Sequence, residues 1–178
     1  MFDHSSELNT ATAKPAADVA AKTLQFVTFT IAGQQYCIDI MAVREIRASN
    51  VITPLPGASD FVRGVTNLRG TILPIIDLGK PLGIDRPEPA HGQVVVVVAI
   101  EGKLVGLLVD AVSDILTVLD ANVAAIPATQ GEKHEGFFDG LITLEETMII
   151  VISLDRLTSP LRQNSGSAHL VAGSAAIS

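Results

Sequence analysis

The chain has no tryptophan, one tyrosine and one cysteine among its 178 residues, and only 4% of it is aromatic. A lone Cys37 cannot build an internal disulfide framework or a zinc cluster of several thiolates. Basic residues are scarce, 12 Lys and Arg against 19 Asp and Glu, for a formal charge of −7. A nucleic-acid binder needs a basic face to displace phosphate counterions, so no nucleic-acid partner is expected. Long apolar runs are missing too. Val94–Ile100 is only seven residues, against the ~20 that a membrane helix needs, so no direct membrane insertion is expected. The opening MFDHSSELNT has neither a basic head nor an apolar core, which argues against a secretory signal and for a cytoplasmic chain.

What the chain does have is aliphatic bulk. Apolar residues make up 48% of it, most of them Val, Ile, Leu and Ala. The β-branched ones fit a pleated, buried sheet. The ends differ in composition. Residues 1–22 and 161–178 are small, polar and without apolar period, and are expected to be flexible tails around a folded body at 23–160. Within that body, Leu24–Ile31 alternates as a half-buried strand does, and Gly33-Gln34-Gln35 turns it into Tyr36–Ile40. Ala42–Arg47 continues extended or through a short irregular piece. Val62–Leu68 and Thr71–Ile76 flank Arg69-Gly70, and Val94–Ile100 and Lys103–Val109 flank Glu101-Gly102, both pairs reading as tight hairpins. Helix is limited to single turns at Asp60–Arg63 and Asp77–Leu82, and a short C-terminal piece, Ser153–Thr158, started by Ser153.

An internal repeat organises these strands. At an offset of 69, GQQYCIDIMAVREI (33–46) lies over GKLVGLLVDAVSDI (102–115). At an offset of 76, FVRGVTNLRGTILPIIDL (61–78) lies over FFDGLITLEETMIIVISL (137–154), with Gly64 on Gly140 and Leu68 on Leu144. The reading is two copies of a five-strand unit, each curled into a small barrel that limits exposed edges, with a groove between them. The copies differ at one turn: Asn67-Leu68-Arg69-Gly70 becomes Thr143-Leu144-Glu145-Glu146. Folding then does not demand Arg69, and its charge is free for a partner.

Reactive constellations are missing. His4, His91, His134 and His169 are scattered, with no metal-ligand spacing. There is no nucleophile elbow and no phosphate loop. Cys37 sits in an apolar strand and reads as core. Asp77, Asp110 and Asp114 read as strand-end caps rather than a paired carboxylate site. No catalytic residue, metal or cofactor is expected, which leaves recognition.

Across 24–157 the sequence resembles the CheW-type chemotaxis coupling proteins. The resemblance is carried by FVTFTIAGQQYCIDIMAVREIR (26–47), FVRGVTNLRGTILPIIDL (61–78), VVVVVAIEGKLVGLLVDAVSDIL (94–116) and GLITLEETMIIVISLDRL (140–157). It implies a mainly β fold of two intertwined SH3-like five-stranded barrels. It also implies a non-catalytic scaffold that couples the cytoplasmic tips of methyl-accepting chemoreceptors to the regulatory domain of the histidine kinase CheA. The length leaves no room for kinase or receiver domains, so a standalone coupler is expected, monomeric outside arrays and recruited to membrane-associated receptor arrays. A related module in a non-flagellar chemosensory pathway, or a small-ligand binder using the groove, are the alternatives.

The resemblance carries residues over one at a time. Val43 and Glu45 match positions that influence receptor binding, and Gly64 and Arg69 match positions where receptor coupling is sensitive to change. Val94, Val95, Gly106, Val112 and Ile115 are expected on the second barrel's face of the receptor groove. For the kinase, Asp39, Arg47 and Asn50, with the rest of the 47–53 loop, are expected on the first barrel. The loop at 127–138 departs most from the family pattern. A helical receptor tip would lay apolar positions into the groove while rim charges such as Arg69 fix its register.

Overall fold

Four two-residue turns connect the principal hairpins. Ala32-Gly33, Arg69-Gly70, Glu101-Gly102 and Glu145-Glu146 each begin with a non-glycine residue at φ of 48–51°. This is the left-handed geometry that matches the twist of the flanking strands. The computed structural model describes residues 21–84, 92–127 and 135–164. Residues 1–20 and 165–178 of the expected tails, all four histidines, and most of the 127–138 loop lie outside the described residues; residues 161–164, expected to begin the C-terminal tail, are instead the end of a helix.

The strands are β1 (Thr23–Ile31), β2 (Gln34–Asp39), β3 (Val43–Ala48), β4 (Val62–Leu68), β5 (Thr71–Asp77), β6 (Val94–Ile100), β7 (Lys103–Val109), β8 (Ala111–Leu119), β9 (Val123–Ala124), β10 (Phe138–Leu144) and β11 (Thr147–Ile152). They are followed by α1 (Leu154–Asn164), which runs six residues past the expected short helical piece at 153–158. The irregular piece before β3 is a 3-10 turn at Ile40–Ala42.

Two sheets result, ordered β8-β1-β2-β11-β10-β9 and β3-β6-β7-β5-β4. Both have the SH3-like arrangement without full closure. The barrel is not the repeat unit. The opening hairpin of each repeat leaves its own half: β1–β2 joins β8–β11, and β6–β7 joins β3–β5. The crossing is fixed by two parallel ladders, Val151↔Cys37 in one sheet and Ile75↔Gly106 in the other, which are equivalent under the repeat. Irregularities are copied as well. The bulge between Val27↔Ile115 and Phe29↔Val112 corresponds to the one between Ile46↔Val96 and Val43↔Val98. The sixth strand, β9, has its counterpart in the first repeat as the single bridge Thr53↔Val65, equivalent to Ala124↔Leu141.

Three apolar layers hold this together. The central one, between the barrels, includes Phe29, Ile31 and Ile38 from one sheet with Ile76, Val96, Val98 and Leu107 from the other, closed by Ile152 and Leu157. The six-stranded barrel encloses Phe26, Cys37, Val118, Ile142, Ile149 and Val151. The five-stranded barrel encloses Leu68, Leu73, Ile75, Val95, Val97 and Leu108. Strand alternation explains the division: β6 sends Val96 and Val98 to the central layer and Val95 and Val97 into its own barrel. Cys37 is fully buried, and burial pushes its thiol up to about 12.

Candidate functional site

The Asn67-Leu68-Arg69-Gly70 turn is built by its own side chains. Asn67 Oδ1 accepts a hydrogen bond from the Gly70 amide at 2.8 Å, which closes the turn. Leu68 points into the five-stranded barrel. Arg69, at φ 48°, stands outside. Across from it, the bulge in β3 separates Val43, which registers with Val98 on the central-layer face, from Glu45 and Arg47, which register with Val97 and Val95 on the barrel side.

Arg69 and Glu45 meet as a two-point pair. Nη1 lies 3.0 Å from Oε2, and Nη2 donates to Oε1 at 3.2 Å. Arg69 belongs to the β4–β5 turn, whereas β3 is the opposite edge of the same sheet, so the pair draws the two edges together. Nearby, the Thr53 and Val65 amides each donate to the other's carbonyl at 2.8 Å, and Thr66 Oγ1 donates to the Val51 carbonyl at 3.1 Å. The expectation of a free Arg69 charge is therefore corrected, since Glu45 already engages both of its terminal nitrogens. In the other barrel the equivalent positions are Asp114 and Glu145, both acidic, and no such clasp can form. Asp114 instead accepts from the Ile115 amide at 2.7 Å.

The remaining expected receptor positions divide by burial. Val43, Val94 and Val112 are half-buried at the margin of the central layer. Ile115 is 56% exposed on the edge strand β8. Val95, in contrast, is buried inside the five-stranded barrel. Gly106 is there too, where a Cβ would lie 2.5 Å from Ile75 Cδ1 and 2.9 Å from Val95 Cγ1. Neither has a side-chain surface to offer a partner. Gly64 is buried at a bulge where a Cβ would overlap the Thr53 carbonyl oxygen, so its role is to let the 49–53 segment pass. The hairpin exchange also puts Val94 and Gly106 in the five-stranded barrel and Val112 and Ile115 in the six-stranded one, rather than all on one barrel.

The expected kinase positions do not all come together. Asn50 lines a shallow depression of about 840 Å³ with Val51, Thr53, Thr66, Asn67 and Ile72. Val51 is 85% and Ile72 72% exposed, an unusual display for aliphatic side chains. Asp39 and Arg47 are not part of that lining. Asp39 Oδ1 caps the 3-10 turn by accepting from the Met41 amide at 2.8 Å. Ile72 was missed from sequence. Its signal lay in the alternation of β5, which turns Ile72 away from the buried Leu73, and in its repeat equivalent Met148, also 51% exposed.

The three aspartates serve as backbone caps. Asp77 accepts from the Gly79 amide at 3.0 Å and Asp110 from the Ala32 amide at 2.7 Å, while Asp114 holds Ile115 as above. Among the described residues no group of three or more His, Cys, Asp or Glu side chains is placed to hold a metal ion.

Comparison with known proteins shows what the chain as a whole resembles. The family model described as "CheW-like domain" matches residues 25–161. A chemotaxis protein CheW of Rhizobium meliloti is 42% identical over 74% of this chain and 84% of its own length. The chemotaxis protein CheW of Klebsiella aerogenes is 35% identical over 76% and 81% respectively. The crystal structure of the scaffolding protein TtCheW from Thermoanaerobacter tengcongensis superposes with a TM-score of 0.68 at 32% identity, covering 75% of this chain and 90% of that one.

Proposed function

The chain belongs to the family of CheW-like domains and is a chemotaxis coupling adaptor, and from that premise we propose how its surfaces divide the work. The rim of the central layer, with Val43, Val94 and Val112 as an apolar floor and the Glu45–Arg69 pair farther along the same β3 edge, takes the helical tip of a chemoreceptor. The depression around Asn50, Val51 and Ile72 takes the regulatory domain of the histidine kinase CheA. The protein performs no catalysis; it fixes the geometry of two partners. It works in the cytoplasm, recruited to receptor arrays, and no described helix is long and apolar enough to cross a membrane.

One observation carries this reading. A solvent-facing ion pair and an exposed aliphatic patch both draw on residues of the same Asn67–Ile72 hairpin tip. Two partners seated there share one rigid element, and weak contacts tied into one assembly reinforce each other through effective concentration.

The test is a reconstituted assay of receptor, kinase and coupler with separate binding measurements. Arg69→Glu is expected to weaken receptor binding and uncouple the kinase while kinase binding persists. Ile72→Asp is expected to do the reverse. Loss of both contacts with either variant, or of neither, would sink the division of surfaces.

A further inference from the structure

The two barrels obey the same register, and one place where they part company opens a cleft. In the six-stranded barrel the parallel ladder between β11 and β2 includes Ile150↔Tyr36. The repeat offsets carry that pair onto Pro74 and Val105 in the five-stranded barrel. There the ladder between β5 and β7 starts one step later, at Ile75↔Gly106. Pro74 has no N–H to give across the gap. The stretch Lys103–Val105 pairs on one side with β6, and among the described residues no strand pairs with its other side. The first residues of β5 are likewise paired only with β4.

The six-stranded barrel closes its version of this gap with a side chain. Gln34 Nε2 donates to the Met148 carbonyl at 3.1 Å, stitching the hairpin ends together. Lys103 and Ile72 occupy those positions in the five-stranded barrel, and an ammonium on a long stem replaces the amide. What remains between β5 and β7 is a cleft of about 540 Å³, walled by Thr71, Ile72, Pro74, Lys103, Leu104 and Val105 and backed by Thr158 of α1.

We propose that this cleft accepts an extended, uncharged, aliphatic segment of a partner protein as an added strand beside Lys103–Val105. Two features select that occupant. The unpaired backbone of β7 calls for donors and acceptors at strand spacing, which an extended chain supplies and a helix cannot. The walls are largely aliphatic, and Glu101 and Lys103 at the mouth cancel in charge. The free stretch is as long as about three residues of strand, at ~3.3 Å each. The site borders the kinase surface proposed above, with which it shares Ile72, but its test needs neither partner.

The probe is an acetylated, amidated Thr-Val-Thr-Val-Thr peptide, titrated into the isotope-labelled full-length protein and followed by amide resonances. Binding should shift Leu104, Val105 and Leu73. The same peptide methylated on its backbone nitrogens should bind at least about tenfold more weakly. The variant Pro74→Ile with Lys103→Gln, which copies the other barrel, should lose the shifts while keeping the dispersion of a folded protein; Lys103→Gln alone, which leaves the ladder untouched, should weaken them. Three outcomes would overturn the proposal. One is no shift with the unmodified peptide. Another is equal binding of the methylated peptide, which would mark an apolar pocket for side chains or small molecules. The third is slow exchange of the Leu104 amide, which points away from β6, in the free protein; this would mean the chain already fills the cleft itself.

Discussion

Glu45 and Arg69, twenty-four residues apart in sequence, bind each other through two oxygens and two nitrogens across the open seam of the five-stranded barrel. The Arg69 side chain is 77% exposed and that of Glu45 27%. Such a pair contributes about 0–1 kcal/mol to stability, so its main effect is to hold the hairpin tip against β3. Arg69→Glu should leave the circular dichroism spectrum unchanged and lower Tm by no more than a few degrees, while kinase control by receptors is lost. The double reversal Glu45→Arg with Arg69→Glu should recover the Tm but not the coupling, because the partner meets a reversed charge pattern. Recovery of both would show that only the clasp matters.

The aliphatic pair Val51 and Ile72 gives a second expectation. Both are largely exposed, so Val51→Asp and Ile72→Asp should leave chemical denaturation within about 0.5 kcal/mol of the parent. Retention of the kinase regulatory domain in a pull-down should fall at least about tenfold. Unchanged retention would remove this patch from the kinase interface.

Two glycines separate side-chain from backbone crowding. Gly106→Ala pushes a methyl against the Ile75 and Val95 side chains, which can shift; a cost of about 1–3 kcal/mol is expected. Gly64→Ala pushes one against the Thr53 backbone, at φ +153°, and should cost more. Urea denaturation of the two variants checks the order.

Cys37 predicts a pH dependence. Burial raises its thiol from 9.0 to about 12. The native state therefore keeps its proton where the unfolded chain gives it up. The corresponding stability is complete below pH 9 and is lost as pH rises toward 12. Tyr36 is shifted in the same direction by the same cause. Cys37→Ala should be less stable than the parent at pH 7, through the lost packing, yet lose less of its stability between pH 9 and 11. Thermal melts across that range decide; parallel curves would mean that the thiol does not titrate with unfolding.

The sequence revealed the hairpins because their signals are local: glycine after a turn residue, and apolar runs of strand length on either side. It revealed the repeat because Gly64 and Gly140 both sit where another segment crosses a bulge. The faces of β6 were hidden. Val94–Val98 is uniformly apolar, and since both sides of that strand are buried, no polar residue marks which valine looks where. Val95 was misplaced for that reason. The pairing of Arg69 with Glu45 was hidden by chain distance, and the hairpin exchange by the same cause, since β2 meets β11 only after more than a hundred residues. The length of α1 was missed because its start carries the stronger signal.

The exchange of opening hairpins has a consequence for how such a module could arise. One repeat by itself has no complete barrel: the first holds β3–β5 of one and β1–β2 of the other, the second β8–β11 of one and β6–β7 of the other. Two separate copies would satisfy each other only by lending hairpins reciprocally, as a domain-swapped homodimer with a true twofold axis. Fusing those copies end to end gives the present topology without moving a strand. It also frees each seam to diverge, so that one kept an acid–base clasp while the other became wholly acidic.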